Sequence, residues 1–132
     1  CSLALAWVLP DEISASADRF RKQISPGSRL WVPALWWYEL SNVLTTAQRR
    51  KRLSETDARL ALSQYRRLPI ETETDPDTER LWRACLMAIR YELSAYDAAY
   101  LELAFRKGLR LATLDRKLVS AACKAGVPIV SL

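Results

Sequence analysis

Leu109-Arg110-Leu111-Ala112-Thr113-Leu114-Asp115, followed by helix-patterned residues to Lys124 and then Val127-Pro128-Ile129-Val130, is the stretch that decides the fold class. Leu109 to Leu114 is a short apolar run and reads as a strand. Asp115 opens a helix that runs to Lys124. Val127 to Val130 reads as a further strand. Strands that alternate with helices, each strand short and apolar, predict a parallel sheet covered by helices on both faces.

Moving toward the N-terminus, the same alternation continues. A helix from Ser94 or Ala95 to Lys107 is closed by Gly108, and another from Asp75-Pro76 reaches Tyr91. Leu68 to Thr72 is a candidate edge strand. Ser54 to Arg67 reads as a helix, with Ser54 and Asp57 as a capping-box pair. A long helix from Ala34 to Lys51 carries an apolar stripe at helical spacing: Trp36, Leu40, Val43, Leu44 and Ala47. Before it, Leu30 to Val32 is a buried strand closed by Pro33, and Pro26-Gly27 marks a turn. Ser14 to Gln23 is a polar helix. Ser2 to Leu9 is a short apolar helix stopped at Pro10-Asp11-Glu12. The expectation is an α/β chain forming a single domain over residues 1–132.

The 132 residues include no histidine. That excludes Ser-His-Asp hydrolases, Cys-His proteases, histidine-based ribonucleases and most zinc enzymes. Any catalysis runs on carboxylates, hydroxyls, Lys or Arg, or a hard cation held by oxygens. No apolar run reaches the roughly 18 residues of a membrane span. Cys1, Cys85 and Cys123 lack metal-ligand spacing and are odd in number, which fits reduced thiols in a cytoplasmic protein. The net charge of +5 suits a polyanionic partner.

Ligands of such sheets bind beyond the carboxyl ends of the strands, and three acids follow strands or open helices there. Glu39 shares the helix face that carries the apolar stripe. A carboxylate there is costly unless paired or bound to a cation. Asn42 is placed to support it, and a position at the stripe's edge reaching solvent or an arginine is the alternative. Asp97 closes Ser94-Ala95-Tyr96-Asp97, a capping box like Ser54 to Asp57. Its neighbours Tyr96, Ala98, Ala99, Tyr100 and Leu101 are apolar, so a partly buried carboxylate that needs a charge partner is the competing reading. Asp115 fits the N-cap of the last long helix, with Thr113 two residues earlier able to hydrogen-bond it. Carboxylates gathered at one place repel one another, and binding Mg²⁺ or Mn²⁺ relieves the repulsion. Mg²⁺ takes one or two carboxylates and keeps several waters. It activates water and neutralises charge developing on phosphorus oxygens, which gives phosphodiester hydrolysis without histidine.

Four stretches carry a resemblance: Ser2 to Trp7 through Pro10-Asp11-Glu12; Val32 to Leu44, with Glu39-Leu40-Ser41-Asn42 at its centre; Leu93 to Ala104, including Tyr96-Asp97-Ala98-Ala99-Tyr100; and Leu111 to Asp115. Ala125-Gly126-Val127-Pro128 also fits. The chain resembles PIN-domain proteins, and specifically the toxins of VapBC-type toxin–antitoxin pairs. The resemblance implies a three-layer fold whose short parallel sheet has helices on both faces. It implies a Mg²⁺- or Mn²⁺-dependent endoribonuclease, often a homodimer, inhibited by a cognate antitoxin protein. It assigns Glu39, Asp97 and Asp115 to the metal-binding and catalytic site, with Thr113 supporting Asp115. The family carries a further acid at the end of its first strand, just before the segment matching Cys1-Ser2-Leu3. That strand and acid are absent from these residues, and the lack of an initiating Met favours a trimmed start. The alternative is a non-catalytic PIN-like module that binds RNA or a protein with an incomplete acidic site.

Two basic groups are candidates for RNA phosphates: Arg49 to Arg52, which also suits a helix C-terminus, and Arg106, Lys107, Arg110, Arg116 and Lys117 around the Asp97 and Asp115 segments. Trp7, Trp31, Trp36 and Trp37 read as core or interface residues. Adjacent Trp36 and Trp37 cannot both face one core, so one of them is a candidate for a partner groove or for base stacking.

Overall fold

The computed structural model describes Leu3, Ala6, Trp7, residues 14–74 and residues 77–132. Within them lie α1 (Ala15–Gln23), β1 (Leu30–Pro33), α2 (Leu35–Arg49), α3 (Glu55–Tyr65), β2 (Ile70–Glu73), α4 (Thr78–Tyr91), α5 (Ala95–Lys107) and α6 (Arg116–Lys124). β1 and β2 form a two-stranded sheet, and Leu111 makes a parallel bridge with Ile129. This is the α/β class that the alternating pattern implied. No helix among the described residues is long and apolar enough to cross a membrane. The chain divides into two compact units, Cys1–Glu71 with Leu132, and Thr72–Ser131.

In the first unit, Ser14 caps α1 by accepting the Ala17 N–H at 3.2 Å. The expected Ser54–Asp57 pair opens α3: Ser54 Oγ accepts the Asp57 N–H at 3.1 Å and donates to Asp57 Oδ2 at 2.6 Å. The predicted stripe of α2 is realised, with Trp36, Leu40, Leu44 and Ala47 buried and Val43 half-buried. Trp36 meets Tyr65 of α3 edge-on at 5.7 Å, and Trp7 stacks on both Phe20 (6.2 Å) and Tyr65 (6.3 Å). The indole of Trp7 also donates to the Ala17 carbonyl at 2.9 Å. This aromatic cluster gives the unit its core, since aromatic pairs add favourable ring contacts to a large buried area. The expected helix from Ser2 to Leu9 and its stop at Pro10-Asp11-Glu12 lie outside the described residues, apart from Leu3, Ala6 and Trp7; Leu3 is helical and buried.

In the second unit, Leu101, Ala104, Leu111, Leu118, Ala121, Ala122 and Val127 form the core, with Met87 and Tyr91 of α4 packed against it. α4 begins at Thr78, where Asp77 Oδ1 accepts the Arg80 N–H at 2.8 Å. The start expected at Asp75-Pro76 lies outside the described residues. α5 ends where predicted: Gly108 takes φ +62°, and the Leu109 N–H returns to the Ala104 carbonyl at 2.9 Å. A left-handed residue at this position closes a helix, and glycine adopts it without strain.

The two strands expected at Leu109 to Leu114 and Val127 to Val130 contract to the single bridge. The Leu111 N–H donates to the Pro128 carbonyl at 2.8 Å, and the Val130 N–H donates to the Leu111 carbonyl at 2.9 Å. Three local demands limit the ladder. Pro128 has no N–H to donate. The Leu109 N–H closes α5, and the Asp115 N–H is taken by Thr113.

Candidate active site

The geometry is sharpest at Asp115. Its N–H donates to Thr113 Oγ1 at 3.1 Å, so the buried threonine fixes the backbone just before α6. Asp115 Oδ1 then accepts the N–H groups of Lys117 at 2.7 Å and Leu118 at 3.0 Å. Two orphan donors of the helix start are thereby satisfied. Asp115 Oδ2 takes no hydrogen bond from the described residues, and the side chain is exposed.

Asp97 follows the same pattern. Its N–H donates to Ser94 Oγ at 3.0 Å, and Ser94 Oγ donates in turn to Asp97 Oδ2 at 2.7 Å. Oδ1 takes no hydrogen bond from the described residues. The apolar enclosure expected around Asp97 is one-sided: Ala98 and Leu101 are buried, whereas Tyr96 is exposed and Asp97 itself is half-buried. Capping and cation binding are therefore compatible at both aspartates. In each, the cap holds one oxygen and orients the carboxylate, and the second oxygen takes no hydrogen bond from the described residues.

Glu39 lies on α2 in the first unit, half-buried between the buried Trp36 and Leu40, with Asn42 exposed. Trp37 is half-buried and packs edge-on against Trp36 at 4.7 Å, while Tyr38 beside it is exposed.

Among the described residues, no group of three or more Asp, Glu or Cys is gathered closely enough to hold a metal ion. The donor chemistry at Asp97 and Asp115 nevertheless suits Mg²⁺, which seeks hard oxygens and needs only one or two carboxylates.

The structure separates the basic candidates. Arg49 occupies the last turn of α2, where positive charge complements the helix dipole. Arg110, Arg116 and Lys117 are exposed. Arg106 is instead committed to ion pairs with Glu102 and with Glu73 of β2. Lys107 Nζ lies 3.8 Å from Glu73 Oε1, and Arg83 Nε lies 3.1 Å from Glu102 Oε1. This network was not expected from the sequence. Its one local signal is Glu102 standing within Leu101-Glu102-Leu103 with an arginine four residues on.

A model of the PIN domain matches residues 2–123, and the chain belongs to the PIN-domain family. It is 37% identical over 102 residues to VapC ribonuclease Mb0985 of Mycobacterium bovis and to Ribonuclease VapC9 of Mycobacterium tuberculosis, covering 76% of this chain and 76% of each relative. It is 32% identical over 117 residues to Ribonuclease VapC3 of Pyrobaculum aerophilum, covering 89% of this chain and 87% of that protein. The crystal structure of PAE2754 from Pyrobaculum aerophilum is similar with a TM-score of 0.63 at 25% identity, covering 91% of this chain and 74% of that one.

Proposed function

We propose that this chain is a metal-dependent endoribonuclease, the toxin of a toxin–antitoxin pair, which hydrolyses RNA phosphodiesters with Glu39, Asp97 and Asp115. The observation that carries the reading is the similarity to proteins named as ribonucleases across three quarters or more of the chain. The absence of histidine and the two oriented aspartates support it. Asp97, Glu39 and Asp115 would hold Mg²⁺ or Mn²⁺. Such an ion supplies an activated water and neutralises charge on the phosphorus oxygens. Thr113 and Ser94 keep the two aspartates in position, and exposed Arg110, Arg116 and Lys117 offer charge to the RNA backbone. A cytoplasmic homodimer held inactive by a cognate antitoxin belongs to the same reading.

A second reading, a non-catalytic module that binds RNA or a protein, is favoured by one observation. No three-carboxylate group is gathered among the described residues.

RNA cleavage by the full-length protein in Mg²⁺, Mn²⁺ or EDTA, beside Asp97→Asn, separates the two. The nuclease reading expects cleavage with either metal and none in EDTA or in the variant. Cleavage that persists in EDTA or in Asp97→Asn sinks the mechanism. RNA binding without cleavage under any condition supports the module.

A further inference from the structure

Each acid of the candidate site follows directly after a large apolar side chain left in solvent. Tyr38 before Glu39 is 78% exposed, Tyr96 before Asp97 is 67% exposed, and Leu114 before Asp115 is 38% exposed. The three steps stand on different elements: within α2, in the first turn of α5 and just before α6. A single exposed apolar residue is ordinary. The same step repeated at all three acids ties the exposure to the acids and not to any one element.

Tyr96 is the sharpest case, because its ring is aromatic, its backbone is fixed and the fold makes no use of the side chain. Ser94 Oγ accepts the Asp97 N–H at 3.0 Å, and Ala98 and Leu101 anchor the same helix in the core. The Tyr96 side chain makes no hydrogen bond or ring contact among the described residues. The exposed residues just before it, Glu92, Ser94 and Ala95, are polar or small. Successive helical residues differ by about 100° around the axis and about 1.5 Å along it, so ring and carboxylate occupy adjacent sectors of one turn. A nucleotide meets both at once, with a flat base for the ring and a phosphate for a cation held by the carboxylate. Charge favours RNA over a protein as the occupant. Arg110, Arg116 and Lys117 of the same unit are exposed, and the net charge is +5.

We propose that Tyr96 is the stacking platform for a nucleobase that flanks the phosphodiester cleaved at Asp97, and so seats the RNA strand for the reaction. The proposal rests on the nuclease reading and adds to it a substrate-binding residue that is not one of the acids. Every base has a π-face, so stacking tolerates any base. Tyr96 therefore contributes affinity and register, while the choice of sequence is made elsewhere. Losing the ring removes binding that the bound substrate and the transition state share, which raises KM and leaves kcat nearly unchanged.

The test uses the full-length protein and a pool of short single-stranded RNAs of random sequence, from which a sequence cleaved by the wild type in Mg²⁺ is mapped. On that RNA, Tyr96→Ala is expected to raise KM roughly tenfold with kcat little changed. It is expected to weaken binding of the same RNA in EDTA, read by fluorescence anisotropy, by a similar factor. Tyr96→Phe and Tyr96→Trp keep a ring and are expected to restore both. An abasic nucleotide on one side of the cleaved bond is expected to weaken the wild type as much as Tyr96→Ala does, and Tyr96→Ala no further. Thermal melts confirm folding, which an exposed position should not disturb. If the wild type cleaves and Tyr96→Ala matches it, or if the ring and base losses simply add, the proposal is overturned while the nuclease reading stands. If the wild type cleaves no member of the pool in Mg²⁺ or Mn²⁺, the nuclease reading falls and takes the proposal with it. If Tyr96→Ala cleaves normally but escapes inhibition by the cognate antitoxin, the ring serves a protein partner and the proposal also falls.

Discussion

Arg106 stands one helical turn beyond Glu102 on α5, and its Nε donates to Glu102 Oε1 at 2.9 Å. Glu102 is buried, so the hydrogen bonds from Arg106 and Arg83 take the place of water around its carboxylate. Burial works against the Arg106 guanidinium, but hydrogen bonds to Glu102 and Glu73 outweigh that effect and hold its pKa above the ordinary arginine value. Removing Glu102 leaves Arg106 paired with Glu73 alone, takes the carboxylate from Arg83, and opens a gap at a buried position. Glu102→Ala is expected to lower stability by about 3 kcal/mol, read by urea denaturation. Arg106→Ala added to Glu102→Ala should cost far less than the sum of the two single changes, because the pair acts as a unit. Additive losses would show that the two side chains contribute separately.

At Asp115 the cap and the chemistry can be separated. Asparagine offers the same carbonyl oxygen to the Lys117 and Leu118 N–H groups and caps about as well as aspartate. Asp115→Asn should therefore melt within about 0.5 kcal/mol of the wild type yet lose RNA cleavage. Asp115→Ala should lose cleavage and also about 1 kcal/mol of stability. If both variants cleave normally, Asp115 is a cap and nothing more.

The caps at Ser54, Ser94 and Asp115 were legible because each is settled within three residues of sequence. The stripe of α2 was legible because its four buried residues keep strict helical spacing. Strand lengths near Leu111 were not legible, since hydrogen bonds at Thr113 and Leu109 compete for the backbone groups a ladder would use. The partner of Arg106 on β2 lies 33 positions away, beyond the reach of any local pattern. The candidate site is suggested in the sequence only through the family motifs, because at Asp97 and Asp115 the local pattern is already satisfied by capping.

Ser94 tests whether a cap also serves the chemistry. Ser94→Ala removes the acceptor of the Asp97 N–H and the donor to Asp97 Oδ2. It should cost about 1 kcal/mol and free the carboxylate to rotate. If Asp97 holds the metal, the variant should still cleave RNA but need more Mg²⁺ to reach half its maximal rate. An unchanged Mg²⁺ requirement with the expected loss of stability would confine Ser94 to capping.

Alkaline stability should be governed in part by Tyr65, which is buried beside Trp36 and Trp7. Burial pushes its phenol above the usual tyrosine range, and the nearby positive charge of Arg21 offsets this only in part. The sign follows from linkage. A folded-state pKa above the unfolded value stabilises the fold fully below the unfolded pKa of about 10. That contribution is lost as the pH rises from there toward the folded value. Thermal melts from about pH 8 to about pH 11 should therefore fall increasingly steeply above about pH 10. Tyr65→Phe keeps the ring contacts and removes the ionisation, so its alkaline slope should be shallower. A variant that falls as steeply as the wild type would show that Tyr65 does not set the slope.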